Sequence, residues 1–121
     1  MPLIKLAILY ISVVLTQTSI SADLGQERRI AEQIHSTILD DEVVYLADEQ
    51  HQFLGIYRRT ATQPRRGAVL LLHDKGANPA WSEVINPLRT GLTEHAWDTL
   101  SIQLPVAHPS ANHREWLAVV D

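Results

Sequence analysis

Between Gly67 and Pro79 the chain runs Gly-Ala-Val-Leu-Leu-Leu-His-Asp-Lys-Gly-Ala-Asn-Pro, and no other stretch restricts its possible folds as much. Ala68 to Leu72 are uninterrupted apolar residues, followed at His73 by a polar turn that contains glycine. A short apolar run bounded by turn residues is the pattern of a strand buried on both faces of a parallel sheet. Open α/β sheets place ligands beyond the carboxyl ends of their strands. The turn at His73 is therefore where a site is expected.

The flanking segments alternate in type. Residues 24–38 carry Ile30, Ile34 and Ile38 at a spacing of four, with charges opposite, which predicts an amphipathic packing helix. Asp23 can cap its start, and Glu27 suits the positive end of its dipole. Val43 to Leu46 and Gln52 to Arg59 read as two antiparallel strands joined by the turn Asp48-Glu49-Gln50-His51. In the second strand Leu54 and Ile56 share one face, while Phe53, Gly55 and Tyr57 share the other. Pro79 fits the first turn of a second helix, with Trp81, Val84, Ile85, Leu88 and Leu92 as its apolar stripe. Pro87 is expected to kink or divide that helix. Thr99 to Leu104 form a further strand, stopped by Pro105. Residues 106–114 read as loop, and Trp116 to Val120 as the start of another element.

A strand, a helix and a strand in succession form a right-handed crossover with a parallel pair. The expected fold class is α/β: an antiparallel hairpin, then parallel strands with a crossover helix. The last strand, 99–104, would lie at an exposed edge.

The N-terminus reads as a targeting segment. Lys5 precedes Leu6 to Leu15, apolar except for Ser12, and Thr16 to Ala22 turn mostly polar and small. Ser19 and Ser21 fit the small-residue rule before a cleavage site, whereas cutting after Ala22 places Ile20 less favourably. The run falls short of the roughly 20 residues that span a bilayer. A cleaved secretory signal over residues 1–22 is the first expectation, ahead of a retained anchor. The expected location is periplasmic or secreted, with the membrane met only transiently. An amphipathic helix and lead-in (23–41) and an α/β unit (42–121) follow. With no cysteine in the 121 residues, an exported product would rely on packing rather than disulfides.

The formal charge of −4 is mild and mixed in sign, which argues against nucleic acid as a partner. Arg58, Arg59, Arg65 and Arg66 flank a proline-containing loop and read as solvated. His73 reads as a structural, loop-ordering residue, and His95 suits a helix C-terminus. His108 and His113 lack the spacing of a helical metal pair, and no metal or cofactor is expected. Trp81, Trp97 and Trp116 read as core or rim.

Four segments in order carry a resemblance: Arg66 to His73, Asn78 to Trp81, Val84 to Arg89, and Leu100 to Pro105. Together with the hairpin they resemble the N-terminal third to half of an α/β-hydrolase, over approximately residues 42–110. More narrowly they look like an uncharacterised family of exported bacterial α/β-hydrolase-like proteins labelled a domain of unknown function. The resemblance implies that His73, Asp74, Lys75 and Gly76 occupy the loop whose backbone N–H helps to form an oxyanion hole. This sequence has Asp74 where glycine is common. An acidic side chain there is unhelpful to an oxyanion unless it points away or pairs with Lys75. For a full-length relative, the resemblance implies either hydrolysis of an ester or similar acyl bond in a small-molecule or acyl substrate, or loss of that activity.

A serine hydrolase also needs a nucleophile within Gly-x-Ser-x-Gly, followed by an acid and a histidine. No such pentapeptide occurs here; Ser82, Ser101 and Ser110 all lack the flanking glycines. The sequence is therefore expected to be catalytically incomplete, the N-terminal portion of a longer fold. A complete binding protein on the same fold is the alternative.

Overall fold

The computed structural model describes residues 22–49, 51–108 and 110–120. The signal-peptide expectation falls on residues 1–21, outside the described residues. Helix α1 spans Leu24–His35, strand β1 Val43–Ala47, β2 Gln52–Arg58 and β3 Gly67–Leu72. Helix α2 spans Ile85–Gly91, a 3-10 turn Leu92–His95, β4 Trp97–Ile102 and helix α3 His113–Val120.

The strands form one mixed four-stranded sheet in the order β1-β2-β4-β3. β1 and β2 are antiparallel in the register Ala47↔Gln52, as the hairpin pattern predicts. β2 runs antiparallel to β4, and β3 pairs with β4 in parallel. The Asp48 side chain closes the hairpin by accepting the His51 amide at 2.8 Å.

Both α1 and α2 lie on one face of the sheet. Ile34 of α1 packs on Leu54 and Ile56, with Ile30, Ala31 and Ile38 around them. Ile30 and Ile34 thus pack as their spacing predicts, while α1 ends at His35, short of the expected residue 38, and Ile38 joins them from the turn beyond it. Asp23 caps α1 through the Gln26 amide at 2.9 Å. On the same face, Thr99 Oγ1 donates to the Arg89 carbonyl (2.7 Å) and Ser101 Oγ to the Pro79 carbonyl (2.6 Å). These two hydroxyls tie β4 to carbonyls in α2 and in the turn before it.

Three expectations are corrected. Ala68 to Leu72 do not form a strand buried on both faces. β3 is the sheet edge, and although Leu71 is buried, Leu70 and Leu72 are each 56% exposed. They stand on the face that neither α1 nor α2 covers. Conversely, the last strand is not the edge; β4 lies inside the sheet, paired on both sides. It also starts earlier than expected, at Trp97, because Ala96 adopts a left-handed conformation (φ 69°) that ends the 3-10 turn.

The second helix is shorter than its apolar stripe predicts. Residues 78–84 form turns, with the Ala80 amide donating to Asn78 Oδ1 at 2.9 Å. Pro87 is the third residue of α2 and belongs to its first turn, where amides have no intrahelical acceptor. At that position it interrupts no intrahelical hydrogen bond, and α2 runs through it to Gly91.

Candidate functional site

The carboxyl ends of β3 and β4 lie side by side, with Leu72 opposite Ile102. His73, 5% exposed, bridges the segments that leave them. Its Nε2 accepts the Leu104 backbone N–H at 2.9 Å, and its Nδ1 lies 2.9 Å from the Asp74 carbonyl. Because Nε2 must accept, the proton sits on Nδ1 and is donated to Asp74 O. Burial pushes the ring's pKa below its ordinary value, against the opposing pull of the Asp74 carbonyl and carboxylate. His73 is a pin between two loops, as its strand-end position suggests.

A pH dependence follows. The unfolded ring takes up a proton below its ordinary value of about 6.5, before the buried ring does. This contribution is neutral above that pH, and stability falls as the pH drops through and below it. Urea unfolding at pH 7.5 and 5.5 should show the lower stability at 5.5, with part of the difference removed in His73→Asn. An unchanged difference in the variant would assign the effect to other groups.

The loop after His73 is a tight turn. The Asp74 carbonyl accepts the Ala77 N–H (3.0 Å), and Gly76 holds φ at +78°, a conformation that suits glycine. Asp74 Oδ1 accepts the Lys75 backbone N–H at 2.7 Å. One loop amide is thereby used internally, while those of Asp74 and Gly76 bond to no described residue. The Asp74 side chain, 81% exposed, lies 4.0 Å from His113 Nδ1 and does not pair with the Lys75 ammonium.

Lys75 and Gly76 border a cleft of about 380 Å³, together with His73, Ile30 and the segment Pro105 to His108. Trp116 of α3 forms another wall; it is buried against Ala107 and Ala111 and donates its indole N–H to the Pro105 carbonyl at 2.9 Å. Glu27 ties α1 to the same segment by accepting the Val106 N–H at 2.9 Å. The four predicted loop residues therefore share one turn, three of them at a cleft.

None of Ser82, Ser101 and Ser110 has the setting of a nucleophile. Ser101 is fully buried and already donates to Pro79. Ser82 lies exposed in the turns before α2. Ser110 Oγ lies 2.7 Å from His108 Nδ1, a pairing not anticipated from sequence although the two are only two residues apart. His108 Nδ1 also accepts the Ser110 N–H, at 3.2 Å. No described carboxylate contacts this histidine, so the pair lacks an orienting acid.

At the opposite end of the sheet, Asp98 is 1% exposed and accepts from Tyr57 Oη (2.6 Å), the Thr60 N–H (2.8 Å) and Arg65 Nη1 (2.9 Å). The Tyr57 hydroxyl and then the Thr60 amide hold its carboxyl below the usual range, with burial opposing and Arg65 assisting. Two of the four clustered arginines are thus ion-paired, Arg65 to Asp98 and Arg58 to Glu42, rather than simply solvated.

A mixed sheet with two helices on one face and a cleft at the carboxyl end of its parallel pair defines a small α/β protein. No helix among the described residues is long and apolar enough to cross a membrane. The chain belongs to a family described as "Protein of unknown function (DUF3530)", whose model matches residues 15–118. Neither a curated protein nor a solved structure matches it. Of the two resemblances, the match bears on the narrower one, and only as far as membership of an uncharacterised domain family.

Proposed function

We propose that this chain is the opening portion of an exported α/β-hydrolase-like protein, catalytically incomplete over these residues. In this proposal the turn after β3 supplies an oxyanion donor. Support comes chiefly from one observation: the His73–Gly76 turn sits at the carboxyl end of a parallel pair and leaves the Gly76 amide free beside a cleft. The antiparallel hairpin and the crossover through α2 fit the same resemblance. The open edge at β3, with Leu70 and Leu72 uncovered, fits a sheet that continues past it. The Lys5-to-Ala22 segment supports export to the periplasm or beyond, followed by cleavage. Full-length relatives would then act on ester or other acyl bonds.

The second reading, a non-catalytic binding protein of the cell envelope, draws on Asp74. Its carboxylate occupies the Lys75 amide and so removes one donor from the loop. A fluorophosphonate probe tests incompleteness directly. The chain is expected to remain unlabelled, and an adduct on Ser82, Ser101 or Ser110 would overturn the proposal. Reading the gene past codon 121 separates the two readings. A serine elbow followed by an acid and a histidine supports the hydrolase; a longer sheet without them supports binding.

A further inference from the structure

On the other flank of α1, away from the His73 turn, a second cleft of about 470 Å³ separates the helix from the β1–β2 hairpin. Its volume is within the range of small-molecule sites. Gln103, 4% exposed, lines it, and its Oε1 is buried with no hydrogen-bond partner. The amide orientation is fixed, because Nε2 donates to the Leu104 carbonyl at 2.6 Å. Turning the amide over would bring two oxygens to that distance. A buried acceptor without a donor carries a desolvation penalty that an incoming donor relieves.

The same cleft is bordered by Glu27, 8% exposed. Its Oε1 takes the Val106 N–H, and no described cation pairs with the carboxylate. Buried carboxylates are ordinarily paired. The two most buried polar residues lining this space therefore each carry an acceptor, one of them charged. Leu24, Ala31 and Leu54 provide apolar wall. We propose that this cleft binds a small primary amine as its ammonium ion, shared between Gln103 Oε1 and the Glu27 carboxylate, with a short apolar body along the helix. An ammonium carries three donors and no acceptor, so it can serve both groups at once.

The test is calorimetric titration of the full chain at pH 7 with hexylammonium chloride, and with 1-hexanol and hexanoate as length-matched controls. Saturable binding of the ammonium is expected, at least about tenfold tighter than the alcohol, with none of the carboxylate. The Gln103 side-chain amide signals should shift in NMR spectra. Glu27→Gln retains an oxygen for the Val106 N–H and should weaken ammonium binding about tenfold or more. Arg28→Glu, on the exposed rim, should strengthen it without disturbing the fold. No saturation by about 10 mM ammonium, equal affinity for hexanol, or unchanged affinity in Glu27→Gln would each overturn the proposal. Its failure would leave the fluorophosphonate result untouched, since the two clefts lie on different sides of α1.

Discussion

Glu42→Gln is expected to destabilise the protein by about 3–5 kcal/mol, because it strands a buried guanidinium. Glu42 Oε2 lies 2.7 Å from Arg89 Nη1, and its Oε1 lies 3.0 Å from Arg58 Nη1. The Arg89 side chain is only 4% exposed, and its remaining partner is Asn86 Oδ1, at 2.9 and 3.2 Å. Glu42 thus fastens the lead-in to β1 onto α2. At about 4–8 °C per kcal/mol for a domain of this size, the melting temperature should fall by on the order of 20 °C. Replacing both partners by apolar residues, Glu42→Leu with Arg89→Met, should recover much of that loss, since no uncompensated charge is then buried. A loss below about 1 kcal/mol for Glu42→Gln would mean the pair behaves as a solvated one.

Two leucines should respond very differently to truncation. Leu54→Ala removes a side chain that is 1% exposed beneath α1 and should cost about 2–5 kcal/mol. Leu72→Ala trims one that is 56% exposed at the sheet edge and should stay within about 1 kcal/mol. Denaturant midpoints of the two variants measure the contrast. Comparable losses would show that something covers Leu72 in solution, and the β3 edge would then need a partner.

The leucine contrast also marks where the sequence was legible and where it was not. Ile30 and Ile34 announce the α1 face because helical periodicity is local, and the hairpin is legible because its alternation and turn are local too. Leu70 and Leu72 mislead. An unbroken apolar run implies two covered faces, but strand order decides cover, and residues 67–72 do not encode that β4 inserts between β2 and β3. Pro87 misleads for a related reason: its effect depends on where the helix starts, which is set by the turns at 78–84. At the site, the spacing places His73 to Gly76 together at a strand end. It does not reveal that Asp74 has already claimed the Lys75 amide, that His73 reaches Leu104, or that Gln103 buries an acceptor without a donor. Those contacts join segments about 30 residues or more apart, or turn on side-chain torsions, and no periodicity reports them.

The place of β4 in the sheet has a consequence for how this molecule is made. β2 and β3 never touch as neighbours; each is hydrogen-bonded to β4, the last of the four to emerge from the ribosome. Until Ile102 is available, β3 has no strand to zip against, and its leucines travel unprotected. The β1–β2 hairpin can form locally, but joining β3 to it waits for β4 and closes long loops, which slows folding and lengthens the interval in which a chaperone can hold the chain.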